Sequence, residues 1–142
     1  MKQNLTLITL GVADLAAARR FYVDGLGFKP SSSGNEHVAF FSMGGVVLSL
    51  YGRESLAEDA QVPHAGSGFH GFSLAMNLGS REEVDRAINE ARAAGARILK
   101  EPVEVFWGGY SGYFADPDGN PWEVAHNPFW ELDEAGRVKL PD

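Results

Sequence analysis

The sequence predicts an α+β fold made of two β-α-β-β-β units in one chain. Three observations predict it. Two helical stripes occur, each introduced by a capping residue and closed at glycine. Each stripe is preceded by one strand-like run and followed by several more. A polar, glycine-bearing stretch separates the two halves. Internal repetition of this kind constrains a fold more than any single motif does. With 142 residues the chain is long enough for one domain with a real core and too short for two ordinary ones. The expected organisation is one domain over 1–142. It comprises module one at 4–52, a linker at 53–68, module two at 69–126 and a tail at 127–142.

Leu5-Thr6-Leu7-Ile8-Thr9-Leu10-Gly11-Val12 is an unbroken apolar and β-branched run, as in a strand buried on both faces. Asp14 can cap a helix whose stripe is Leu15, Ala18, Phe21 and Tyr22, and Gly25-Leu26-Gly27 stops it. Phe28 begins a weak strand that decays into the turn Ser31-Ser32-Ser33-Gly34. His37 to Ser42 forms the next strand, Gly44-Gly45 a hairpin, and Val46 to Tyr51 the last strand of the module. The stretch from Gly52 to Gly68 is polar and reads as a linker or a flap.

The second half repeats the order, starting with a strand from Phe69 to Leu78. Ser80 and Glu83 make an S-x-x-E capping box. Val84, Ala87, Ile88 and Ala91 form the buried stripe of a helix that stops at Gly95. Arg97 to Lys100 is a strand ended by Pro102, and Tyr110 to Ala115 is another. Asp116-Pro117-Asp118-Gly119-Asn120 is a tight turn, and Trp122 to His126 closes the module. In the tail, Phe129 and Trp130 are expected to dock on the domain or on a second subunit.

Composition narrows the function classes. Apolar residues make up 44% and charged residues 22%, ordinary globular values. No run approaches the length of a membrane span, and the first residues lack the apolar core of a signal peptide. Cysteine is absent, so thiolate metal sites and cysteine nucleophiles are excluded. The formal charge of −7 comes without a Lys/Arg cluster, which argues against nucleic acid. That acidity serves solubility, or else favours a cationic or neutral ligand. A cytoplasmic protein is expected.

Three pieces of the chain together resemble the vicinal oxygen chelate superfamily, which includes glyoxalase I, extradiol dioxygenases and bleomycin-resistance proteins. The first is Val12-Ala13-Asp14-Leu15 with Arg20-Phe21-Tyr22 and Leu26-Gly27-Phe28. The second is the helix end Ala93-Ala94-Gly95-Ala96. The third is Phe114-Ala115-Asp116-Pro117-Asp118-Gly119-Asn120-Pro121-Trp122-Glu123. The resemblance covers about residues 4 to 126. It implies curved mixed sheets around one pocket, and a homodimer that in some members exchanges modules.

Metal-dependent members of that superfamily offer four ligands, one from the first and one from the last strand of each module. His or Glu in those places suits a divalent ion. Parity and the internal repeat put the corresponding positions at Leu7, Ser49, Ser73 and Glu123. Leucine cannot ligate, serine hydroxyls are poor ligands, and one carboxylate does not hold a transition metal. The resemblance therefore implies no family metal and no other cofactor. A rescue would need His70 in a slipped register, or His37 at the start of its strand, beside Glu123. By alternation His126 points away from Glu123. Glu123 itself is the candidate catalytic residue: an acid/base, a partner for a ligand's ammonium group, or a remnant bonded to Ser49 or Ser73.

Phe106-Trp107-Gly108-Gly109-Tyr110-Ser111-Gly112-Tyr113-Phe114 is the most unusual stretch. Trp107, Tyr110 and Tyr113 can form a wall for a flat ligand, and beside an acidic group that wall suits a cationic or aromatic compound. Alternatively, the glycines relieve crowding in a curved sheet. Gly108-Gly109 is no phosphate loop, because no Lys-Ser/Thr and no helix follow. The ligand-binding set is thus Leu7, His37, Ser49, Ser73, Trp107, Tyr110 and Tyr113. Three readings remain: metal-free binding of a small organic molecule, a metal-dependent lyase, isomerase or dioxygenase, and a metal-free enzyme using Glu123.

Overall fold

Asp14 starts the first helix as its sequence position suggests. Its Oδ1 accepts the N–H of Ala17 at 3.0 Å, which satisfies one of the donors a helix start leaves open. The computed structural model describes residues 3, 5–70 and 72–140. It divides into two units, Met1–His70 and Gly71–Asp142. Among the described residues no helix is long and apolar enough to cross a membrane.

In the first unit β1 (Leu7–Val12) leads into α1 (Leu15–Arg19), which continues as a π-helical segment, Arg20–Gly25. The widened turn buries both Phe21 and Tyr22, adjacent residues that a regular helix would splay over about 100°. β2 (Val38–Ser42) and β3 (Val47–Gly52) complete a three-stranded sheet in the order β1-β3-β2. β1 runs parallel to β3, and β2 antiparallel to it. The strand expected at Phe28 shrinks to a single bridge, Pro30 to Phe41; a proline has no N–H with which to extend the ladder. Leu10, Val12, Ala39, Phe41, Leu48 and Leu50 are buried on one sheet face. Tyr22 packs on that face, its ring 6.2 Å from that of Phe41.

The stretch expected to be a linker folds in part. Arg53–Ala60 is a helix, α2, closed by Gln61 in the left-handed region at φ 55°. A Cβ on Gly11 would stand 3.2 Å from Arg53 Cα and 3.3 Å from Leu56 Cδ2. α2 therefore rests on the β1 face that carries Leu7, Thr9 and Gly11, opposite α1. Arg53 Nε also ties the helix back by donating to the His64 carbonyl at 2.9 Å.

In the second unit β4 (Leu74–Asn77), α3 (Arg81–Ala93), β5 (Arg97–Glu104), β6 (Tyr110–Ala115) and β7 (Pro121–His126) give a four-stranded sheet ordered β4-β7-β6-β5. The Ser80 hydroxyl accepts the Glu83 N–H, but the Glu83 carboxylate returns to Gly79 N, one residue before the cap. Val84, Ile88 and Ala91 are buried as expected. Each such side chain contributes roughly 1.5–3 kcal/mol when large and fully buried. β5 does not end at Pro102 but runs through it to Glu104, with register shifts on both sides of Lys100. Because β5 is an edge strand, the missing N–H of Pro102 costs no ladder bond.

Residues of the tail form a two-stranded hairpin, β8 (Glu131–Leu132) with β9 (Val138–Lys139), held by Lys139–Glu131 and Arg137–Asp133 pairs. Phe129 reaches Gly108, its Cε2 3.2 Å from where a Cβ would stand, while remaining 75% exposed.

Candidate functional site

The Asp116–Asn120 turn fixes what faces what in module two. Asp116 Oδ1 accepts the N–H groups of Asp118 and Asn120 at 3.0 and 2.8 Å, and its Oδ2 accepts the Asn120 amide at 2.9 Å. Gly119 supplies the positive φ of 82°. From this turn the hairpin pairs Ala115 with Pro121, Phe114 with Trp122, and Tyr113 with Glu123.

Two faces follow from alternation. Phe114, Trp122, Val124, Tyr110 and His126 share the face covered by α3, since the Tyr110 hydroxyl donates to Asp85 of α3 at 2.7 Å. The Phe114 and Trp122 rings stack at 6.1 Å between centroids. The opposite, far face carries Glu123, Tyr113, Ser111 and Ala125. On that face Ala75 of β4 stands beside Glu123, and Lys100 of β5 stands beside Tyr113. One row across the sheet therefore reads Ala75, Glu123, Tyr113, Lys100.

Tyr113 is the cross-strand neighbour of Glu123. Burial first, then the negative charge of Glu123 and hydrogen bonding toward it, hold the Tyr113 phenol above its ordinary pKa. The remnant reading of Glu123 expects Ser49 or Ser73 as the neighbouring hydroxyl; the hydroxyl-bearing residue across the ladder from it is Tyr113. Counting outward from the Asp116–Asn120 turn would have found it, because hairpin partners have numbers of constant sum.

The aromatic segment divides. Tyr113 shares the far face with Glu123, and Tyr110 lies on the helix face, where the Arg81 guanidinium sits 5.4 Å from its ring centroid. The Asp85 carboxylate that accepts its hydrogen bond holds the Tyr110 phenol above the ordinary range. Trp107 lies in the β5–β6 turn with its indole folded over Gly109. A Cβ there would stand 1.8 Å from the ring, so only glycine permits this packing. Gly112 is also crowded, a Cβ there standing 2.9 Å from the Lys100 carbonyl oxygen and 3.0 Å from Pro102 N.

In module one the far face, opposite α1, carries Leu7, Thr9, Val47, Ser49, Phe40 and Tyr51. Ser49 is 1% exposed. Its partner across the parallel ladder is Thr9, while Leu7 pairs with Val47. Likewise Ala75, not Ser73, stands opposite Glu123, and Ser73 precedes β4 in an exposed segment. His37 also lies outside its expected strand. Its side chain is 77% exposed and 3.4 Å from Glu36, and its backbone N–H donates to Asn35 Oδ1. His70 is exposed. His126 Nδ1 meets the Leu78 carbonyl at 3.0 Å on the helix side. Within each unit the expected positions, Leu7 with Ser49 and Ser73 with Glu123, supply at most one strong ligand. Among the described residues no three of His, Cys, Asp and Glu are grouped to hold one.

Residues 4–124 match the family model of the Glyoxalase/Bleomycin resistance protein/Dioxygenase superfamily. A glyoxalase-related enzyme from Fulvimarina pelagi is 36% identical, with 99% of this chain and 100% of that one covered and a TM-score of 0.90. A glyoxalase/bleomycin resistance protein/dioxygenase from Nocardioides is 30% identical over 89% of this chain and 84% of its own, with a TM-score of 0.73. The lactoylglutathione lyase of Agrobacterium tumefaciens is 25% identical over 94% and 100%, with a TM-score of 0.69. No curated protein is a significant match. The chain belongs to the Glyoxalase/Bleomycin resistance protein/Dioxygenase superfamily, and its α+β fold of mixed sheets is that family's.

Proposed function

We propose that this protein binds a small organic molecule on the far face of module two, with Glu123 and Tyr113 as the recognising pair and without the divalent metal of its metal-dependent relatives. One observation carries the reading. The carboxylate in the family's closing-strand position stands between Tyr113 and Ala75 across the sheet, so the groups beside it are a phenol and a methyl and offer no second strong ligand. A carboxylate so placed keeps acceptor capacity for a ligand's hydroxyl or amine. The bound form is a homodimer in this reading, as the family resemblance implies.

A metal-free acid–base reaction at Glu123 is the second reading, favoured by the Tyr113 phenol that stands beside the carboxylate. Glu123→Gln tests both. The substitution keeps size and removes charge, so binding should fall about tenfold or more, as for a lost charge-assisted hydrogen bond. Turnover should vanish if Glu123 moves protons. Unchanged affinity and unchanged turnover would remove Glu123 from the site.

A further inference from the structure

Strand β5 sorts its charges by face. Glu101 and Glu104 go to the helix side, where Arg92 and Arg81 of α3 pair with them at 2.5 and 3.4 Å. Arg97 and Lys100 go to the other side. Arg97 is registered with Ala115 and Lys100 with Tyr113, both on the face that carries Glu123. Among the described residues neither cation has an ion-pair partner.

Adjacent strands stand about 4.8 Å apart, so the row from Lys100 through Tyr113 to Glu123 spans roughly 10 Å between its end backbones. On the same face the row is flanked by the small residues Ala75, Ser111, Ala115 and Ala125, with Pro121, Asn77 and Val103 beyond them. A basic edge, a phenol and a carboxylate thus follow one another along one wall. The chain's overall charge of −7 makes two unpaired cations on that wall the more informative.

We infer that Lys100 and Arg97 are the anion-holding edge of this site, so that its ligand is an organic acid. Its carboxylate or phosphate lies along β5 and its hydroxyl or amine reaches Glu123. The inference rests on the reading that the far face of module two is the binding face. It replaces the expectation of a cationic, aromatic or neutral ligand, which followed from net charge and from an aromatic wall beside an acidic group. A bare cation would meet repulsion at β5, and a bare anion repulsion at Glu123. A molecule with both an anionic group and a donor matches both ends.

The test uses three probes of one skeleton: 3-phenyllactate, its methyl ester, and 3-phenylpropionate, which lacks the hydroxyl. Binding is followed by NMR shifts of Ala75, Tyr113, Glu123 and Lys100 in the full-length protein. The hydroxy acid should bind most tightly. Lys100→Gln should weaken it about tenfold, and Arg97→Gln with Lys100→Gln further. The ester should bind weakly and ignore both substitutions. Both residues are exposed, so the variants are expected to fold, and the ester controls for that. Equal affinity for acid and ester, or an acid indifferent to Lys100→Gln but weakened by Glu123→Gln, overturns the basic edge and leaves the binding face. Silence of all four residues with every probe overturns both.

Discussion

The two modules share a plan and differ in chemistry. Each sets a helix on one sheet face over a core of alternating apolar residues: Leu10, Leu48 and Leu50 in the first, Trp122, Val124 and Ile88 in the second. Their far faces diverge. Module one presents Leu7, Thr9, Ser49 and Phe40, uncharged throughout, with α2 lying against Gly11. Module two presents a neighbouring carboxylate and phenol and a basic edge. The repeat preserves the scaffold because helix-face packing demands it, and leaves the far face open to change. The chemistry has collected in module two.

The largest expected effects fall on the shared scaffold. Leu50→Ala and Ile88→Ala should each cost about 2–5 kcal/mol, because each removes a nearly fully buried side chain. Denaturant unfolding checks this. A loss well under 1 kcal/mol in only one module would break the parallel between the two cores. Gly11→Leu tests the asymmetry that α2 introduces. The added side chain meets Arg53 Cα and Leu56, so the substitution should cost about 1–3 kcal/mol by overpacking. Full stability would show that α2 does not rest on that face.

A smaller effect concerns Tyr113. Folding raises its pKa above the ordinary value of 10.0, so the folded protein holds the proton longer than the unfolded chain does. The associated stability is present below that ordinary value and is lost as pH climbs through the raised one. In Glu123→Gln, phenolate absorbance, read as the difference from a Tyr113→Phe control, should show Tyr113 titrating closer to normal. Burial should keep part of the rise. An unmoved titration would mean that the pair is not formed.

Much of the fold was legible because its punctuation is local. Asp14, Ser80, Gly95 and the Asp116–Asn120 turn each act within a few residues. Helix α2 was not, since only Ala57 of its eight residues is buried, and a polar helix carries little periodic signal. β5 was cut short at Pro102 because a proline is harmless only on an edge, and edge position is a property of the sheet. At the site, Glu123 was legible from its motif. Its neighbour Tyr113 is legible only by counting outward from the Asp116–Asn120 turn, since the run of Trp107, Tyr110 and Tyr113 by itself suggests one wall. Residues three apart on a strand face opposite ways, which separates Tyr110 from Tyr113.

The measurement that bears most directly on the metal-free pair at Glu123 is elemental analysis after exposure to Mn²⁺, Fe²⁺, Ni²⁺ or Zn²⁺ and exhaustive dialysis, in wild type and Glu123→Gln. Well under one equivalent of every ion in both proteins is the expected result. One equivalent retained by the wild type and lost in Glu123→Gln would contradict it.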